Sequence, residues 1–150
     1  MDFIARDKLE EVFSHAVSDY PFEACGILLG KPGADKEDVL YTCTNIQNKM
    51  HEMYPDTFTR DARTAYYIDP KELLKILQDA EKNNLAIKLF YHSHPDHDAY
   101  FSEEDKKMAL FDDEPVYPDA RYMVISVYNK EIKDNAVFEW NEKNKAFERC

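Results

Sequence analysis

The chain has 150 residues, 44% of them hydrophobic, with 30 acidic against 19 basic residues and a formal net charge of -11. Length and composition suit one folded domain rather than a disordered chain. The charge argues against nucleic acid and anionic membrane as partners, since both need a basic face; a basic protein partner would be welcome, and acidity also serves solubility.

The start, MDFIARDKLEEVF, is acidic and amphipathic with no apolar signal core. No apolar run reaches the length of a membrane span, so the cytoplasm is the expected location. Ile4, Leu9, Val12, Phe13, Ala16 and Val17 recur at helical spacing and predict a helix that Asp19-Tyr20-Pro21 stops. Residues 24–30, ACGILLG, read as a buried strand, 31–38 as a turn, and the β-rich 39–46 as a second strand. Residues 47–65 are polar and aperiodic and read as a long loop. A short strand is expected at 66–69. Pro70 opens a helix with Leu73, Leu74, Leu77 and Ala80 on one face. A strand over 86–94, a helix from Ser102 to about Phe111, and strands at 121–128 and 133–140 joined near Asn129-Lys130 follow, with an edge at 145–149. Strands mixed with three helices predict an α/β (mixed α+β) domain over 1–150, with helices packed on a mixed sheet.

Chemistry concentrates in residues 91–105, YHSHPDHDAYFSEED. Side chains alternate along a strand, so His92 and His94 point the same way and Ser93 the opposite way. Ser102 is placed to cap the next helix, with Asp105 in its first turn. Two histidines and one carboxylate make a catalytic zinc set whose fourth position is left to water. Upstream, Glu23 begins an otherwise apolar run, and a carboxylate there is costly unless something pairs with it. It is the candidate general base. Each element also has a plain structural reading. A His-x-His in an acidic loop is usually a surface feature, Ser-x-x-Asp is usually a cap, and Glu23 could pair with a lysine.

In combination, His92-x-His94-Pro95, a six-residue gap, Ser102-x-x-Asp105 and the upstream FEACGILLG resemble the JAMM (MPN+) metalloprotease family, in its stand-alone prokaryotic form. The resemblance implies a cytidine-deaminase-like JAB/MPN fold. It implies one Zn2+ per chain held by His92, His94 and Asp105, with water as the fourth ligand. Glu23 would be the general acid/base, and Ser102 would stabilise the tetrahedral transition state. The implied reaction is deubiquitinase-like hydrolysis of a peptide or isopeptide bond after the C-terminal Gly-Gly tail of a ubiquitin-like or sulfur-carrier protein. The leaving group would be cysteine or a modified lysine. A non-catalytic, metal-stabilised MPN scaffold is the alternative. The family pattern gives His97 and Asp98 no role.

Other chemistries fit poorly. HEMYP at 51–55 has proline where a second metal-binding histidine would stand, no Pro-Cys-x-x-Cys exists, and only three glycines are present. Cys25, Cys43 and Cys150 are odd in number and widely spaced, against a disulfide framework or an all-cysteine zinc site. Cys25 reads as a packing residue more readily than as a nucleophile. Residues 47–66 are the candidate wall of a groove for an extended tail. Tyr66, Tyr67, Tyr100 and Phe101 suit either groove or core.

Overall fold

The computed structural model describes residues 3–150. Helix α1 (Arg6–Asp19) leads into β1 (Cys25–Gly30) and β2 (Val39–Cys43). Helices α2 (Gln47–Met53) and α3 (Pro70–Asn83) precede β3 (Ala86–Pro95). Helix α4 (Glu103–Ala109), the short β4 (Leu110–Phe111) and β5 (Glu114–Pro115), then β6 (Arg121–Tyr128), β7 (Glu131–Asn141) and β8 (Ala146–Arg149) complete the order. No helix among the described residues is long and apolar enough to cross a membrane.

The main sheet runs β2-β1-β3-β6-β7-β8, with β4-β5 a separate hairpin. β3 and β6 are parallel, and the other neighbours in the main sheet are antiparallel. A parallel pair needs a long crossover. Residues 96–120 supply it, and they carry α4 over one face of the sheet.

Strand alternation sorts side chains between two cores. Leu28 of β1, Leu89 and Tyr91 of β3, and Met123, Ile125 and Val127 of β6 pack with Val12 and Ala16 of α1. Ile27 and Leu29, Phe90, and Tyr122 and Val124 face the other way, onto Ile76 and Ala80 of α3 and Ala109 of α4. With both faces covered, β1 is buried at all six positions, which is why it reads as an unbroken apolar run. Gly26 is required by this packing, because a Cβ there would land in the Tyr91 ring. His92 and His94 share the parity of Phe90 and so lie on the α3/α4 side.

Three expectations need correction. The expected loop at 47–65 contains helix α2, so there are four helices among the described residues rather than three. Its only buried residue is Gln47, so it has no apolar stripe to read. The expected strand at 66–69 is reduced to one bridge between Asn45 and Ile68. The fourth helix stops at Ala109, because the chain turns into β4 at Leu110. The β6–β7 turn does fall at Asn129-Lys130, both at positive φ (52° and 63°) as a tight two-residue hairpin requires.

Candidate active site

His92 and His94 stand at the C-terminal end of β3, both buried. Their Nε2 atoms are 3.2 Å apart. Asp105 reaches them from the first turn of α4, with Oδ1 3.1 Å from His92 Nε2 and Oδ2 3.2 Å from His94 Nε2. The capping geometry sets that position. Asp105 N–H donates to Ser102 Oγ and Ser102 N–H donates to Asp105 Oδ2, both at 3.0 Å. This reciprocal box aims the aspartate back at the strand.

The His94 tautomer follows from its neighbour. Nδ1 lies 2.9 Å from the Asp98 carbonyl, which can only accept, so Nδ1 carries the proton and Nε2 keeps its lone pair. Asp98 thus contributes through its backbone, a role the family pattern did not supply. His92 is held by Tyr66, whose ring stacks on it at 4.7 Å between centroids. His92 Nδ1 is buried and has no hydrogen-bond partner among the described residues. Burial works to raise the Asp105 carboxyl, but the adjoining His92 and His94 imidazoles and the Ser102 backbone N–H hold it well below the usual carboxylate range.

These three residues could hold a metal ion, their ligand atoms all lying within 4.8 Å of one another. Zinc bonds of about 2.0–2.1 Å at tetrahedral angles separate neighbouring ligand atoms by roughly 3.3 Å. The observed spacings of 3.1–3.2 Å match. The group has three members, which leaves a position open, as catalytic zinc sites do.

Glu23 lies two residues before β1, 4% exposed, with Oε1 buried and unpartnered. Burial, reinforced by the charge of Asp105, pushes its carboxyl well above the usual value, while Arg60 pulls the other way. Glu23 lines a small cleft of about 60 Å³ together with Arg60, Thr64, His94, His97, Tyr100 and Ser102. All five sequence-predicted residues therefore meet at one place: three converge directly, Ser102 caps the helix of the third, and Glu23 faces the shared cleft. His97 lines that cleft too.

Ser93 is taken up by the backbone, its Oγ accepting from Ala24 N–H at 2.8 Å. Cys25 is fully buried, and burial drives its thiol well above the ordinary range, so it packs rather than reacts. Tyr66 and Tyr67 line an apolar pocket of about 330 Å³ with Leu73, Phe90 and Met108. Phe101 is core, and Tyr100 is exposed with its ring edge-on to His94.

Sequence reasoning missed Asn45. Its Nδ2 donates to the carbonyls of Glu23 (2.8 Å) and Ala65 (3.2 Å). Its Oδ1 accepts from Gln47 N–H and Tyr67 N–H, both at 3.0 Å. One amide thus fixes the backbone of Glu23 against residues 65–67. The only sequence signal was an asparagine closing a β-rich run.

The family model for prokaryotic homologs of the JAB domain matches residues 6–141. The chain belongs to this family. Among its relatives, the CysO-cysteine peptidase of Mycobacterium tuberculosis is 31% identical over 123 residues, covering 82% of this chain and 71% of the relative. The desampylase of Haloferax volcanii is 30% identical over 110 residues, covering 71% and 70%. The probable TtuB-protein conjugate cleaving protease of Thermus thermophilus is 31% identical over 107 residues, covering 71% and 62%. The JAB fold is also that of protein DSY2949 from Desulfitobacterium hafniense, whose solution structure matches with a TM-score of 0.67 at 24% identity, covering 97% of this chain and 87% of that one.

Proposed function

We propose that residues 1–150 form one JAMM/MPN+ domain, a cytoplasmic zinc metallopeptidase. It hydrolyses the peptide or isopeptide bond after the C-terminal Gly-Gly tail of a ubiquitin-like or sulfur-carrier protein. One observation carries the reading: two imidazole Nε2 atoms and a carboxylate converge at 3.1–3.2 Å beside a buried glutamate with an unpartnered oxygen. Relatives named as a CysO-cysteine peptidase, a desampylase and a conjugate-cleaving protease support the substrate class.

His92, His94 and Asp105 would hold the zinc, whose Lewis acidity polarises a carbonyl and acidifies water. Glu23 removes a proton from the attacking water and delivers it to the departing nitrogen. Its burial and the nearby Asp105 charge both raise its affinity for that proton. Ser102 serves two partners without conflict. A lone pair on Oγ accepts the Asp105 N–H, and the O–H proton stays free to donate to the carbonyl oxygen as it gains charge.

The test combines metal analysis with cleavage of a carrier fused through Gly-Gly to cysteine or, by an isopeptide bond, to lysine. Glu23→Gln is expected to keep one zinc per chain and lose on the order of a hundredfold to ten-thousandfold in turnover. His92→Ala is expected to lose the metal. Turnover that survives both Glu23→Gln and strong chelation would overturn the mechanism.

A further inference from the structure

The two leaving groups allowed by the proposed function differ in charge beside the bond that breaks. When a C-terminal amino acid is released, the carbon attached to the scissile nitrogen also carries a free carboxylate. When a lysine isopeptide is cut, that nitrogen leads into the four-carbon stem of the side chain, and the residue's own carboxyl is tied up in a peptide bond. A cation near the scissile nitrogen therefore meets an anion only in the first case.

Arg60 is such a cation. It is the only arginine or lysine among the residues lining the cleft of Glu23, His94 and Ser102. Among the described residues Arg60, Arg63 and Arg149 form no ion pair, whereas Arg6 and Arg121 pair with Glu10 and Glu139, and of the three only Arg60 lines this cleft. Its side chain is exposed but its backbone is anchored. Gln47 Nε2 donates to the Arg60 carbonyl at 2.8 Å. Two residues on, Ala62 N–H donates to Asn48 Oδ1 and the Ala62 carbonyl accepts Glu23 N–H, both at 2.7 Å. The base of the arginine is thus tied to the backbone of the general-base candidate. Its charge is felt there, since it opposes the upward push on the Glu23 carboxyl from Asp105 and Glu104. Those carboxylates, in a chain of net charge -11, would repel an incoming anion. Arg60 offsets them within the cleft that Glu23, His94 and Ser102 share.

We propose that Arg60 binds the α-carboxylate of the leaving residue, so that this chain preferentially releases a C-terminal amino acid from its carrier rather than a lysine-linked modifier. The inference rests on the proposed function. Water supplies its oxygen to the glycyl carbonyl carbon as the C–N bond breaks, and both of its protons end on the departing α-amine, one of them relayed through Glu23. The products are the carrier carboxylate and a free amino acid in its ammonium form.

Binding and turnover separate this inference from the reading beneath it. The binding probe is a fluorescent peptide ending Gly-Gly-Ala, as free acid and as C-terminal amide, titrated into zinc-loaded Glu23→Gln protein; alanine keeps a thiol away from the zinc. The acid is expected to bind on the order of tenfold or more tighter than the amide. Adding Arg60→Ala should bring that ratio near one, and adding Arg60→Lys should restore part of it. Equal binding of acid and amide, or a preference that survives Arg60→Ala, overturns the assignment. In turnover by the unsubstituted protein, the acid should be cleaved faster than the same tail linked to the side chain of Nα-acetyl-lysine amide, and the reverse order also overturns it. Cleavage of neither probe counts against the proposed function itself, while the binding arm still reads Arg60.

Discussion

The strands around β1 and β3 are held by apolar burial. Ile27, Leu28, Leu29 and Leu89 are fully buried, and Tyr91 is 1% exposed. Between Asn45 and Thr64, by contrast, only Gln47 and Ala62 are buried. That stretch is ordered by side chains bonding to backbone: Asn45 to residues 23, 47, 65 and 67, Gln47 to Arg60, Asn48 to Ala62, and His51 to Phe58. Burial is non-directional and tolerant, whereas hydrogen bonds demand particular atoms at particular places. The scaffold that holds His92 and His94 is built the first way. The wall that carries Arg60 and steadies Glu23 is built the second way, and Glu23 sits where the two meet.

The largest expected break in this comparison is on the apolar side. Ile27→Ala removes a fully buried side chain and should cost about 2–5 kcal/mol in denaturant unfolding. The loss should be global, with faster amide exchange throughout the sheet. Exchange confined to 45–67 would contradict it.

Next comes Asn45→Ala, which strips partners from two carbonyls and two N–H groups. At about 0.5–1.5 kcal/mol for each net hydrogen bond the four sum to roughly 2–6 kcal/mol, and because all four are only partly buried, water replaces some of them and the lower half of that range is expected. The difference lies in where the loss appears. Amides of residues 45–67 should exchange faster while the sheet stays protected, and turnover should fall with metal content retained. Sheet amides opening in parallel would show that the two regions are a single cooperative unit.

The smallest effect is electrostatic. In metal-free protein the Glu23 carboxyl is raised above its ordinary 4.5, first by burial and then by Asp105. Between those two values the folded state holds more protons than the unfolded state, so stability is greatest below the ordinary value and falls as pH rises through the folded one. Glu23→Gln removes that dependence. Its stability relative to the unsubstituted protein should therefore climb as pH rises above 4.5, and a difference independent of pH would mean that the folded protein does not perturb Glu23.

The same contrast explains what could be read in advance. β1, β3, α1 and α3 announce themselves through apolar period or run, because burial leaves its mark on composition. Helix α2 does not, since its polar residues carry no stripe. The strand expected at 66–69 is reduced to the Asn45–Ile68 bridge, with the Tyr66 ring stacked on His92. Ser102 was legible as a cap, but its free O–H became clear only once the partner of Oγ was known.

The sequence by itself determined the local geometry of the candidate centre. A two-residue period puts His92 and His94 on one face, and a serine three residues before an aspartate turns Asp105 back toward them. Both follow from backbone repeat, which needs no knowledge of distant chain. Glu23 was legible as a costly carboxylate opening an apolar run, but only the tertiary structure showed how it reaches that centre and that Arg60 and Asn45 accompany it. They are brought there by β1 pairing with β3 and by hydrogen bonds closing the 45–67 segment onto residue 23. Such closures depend on single atoms meeting across long stretches of chain, and no periodicity in the residues records them.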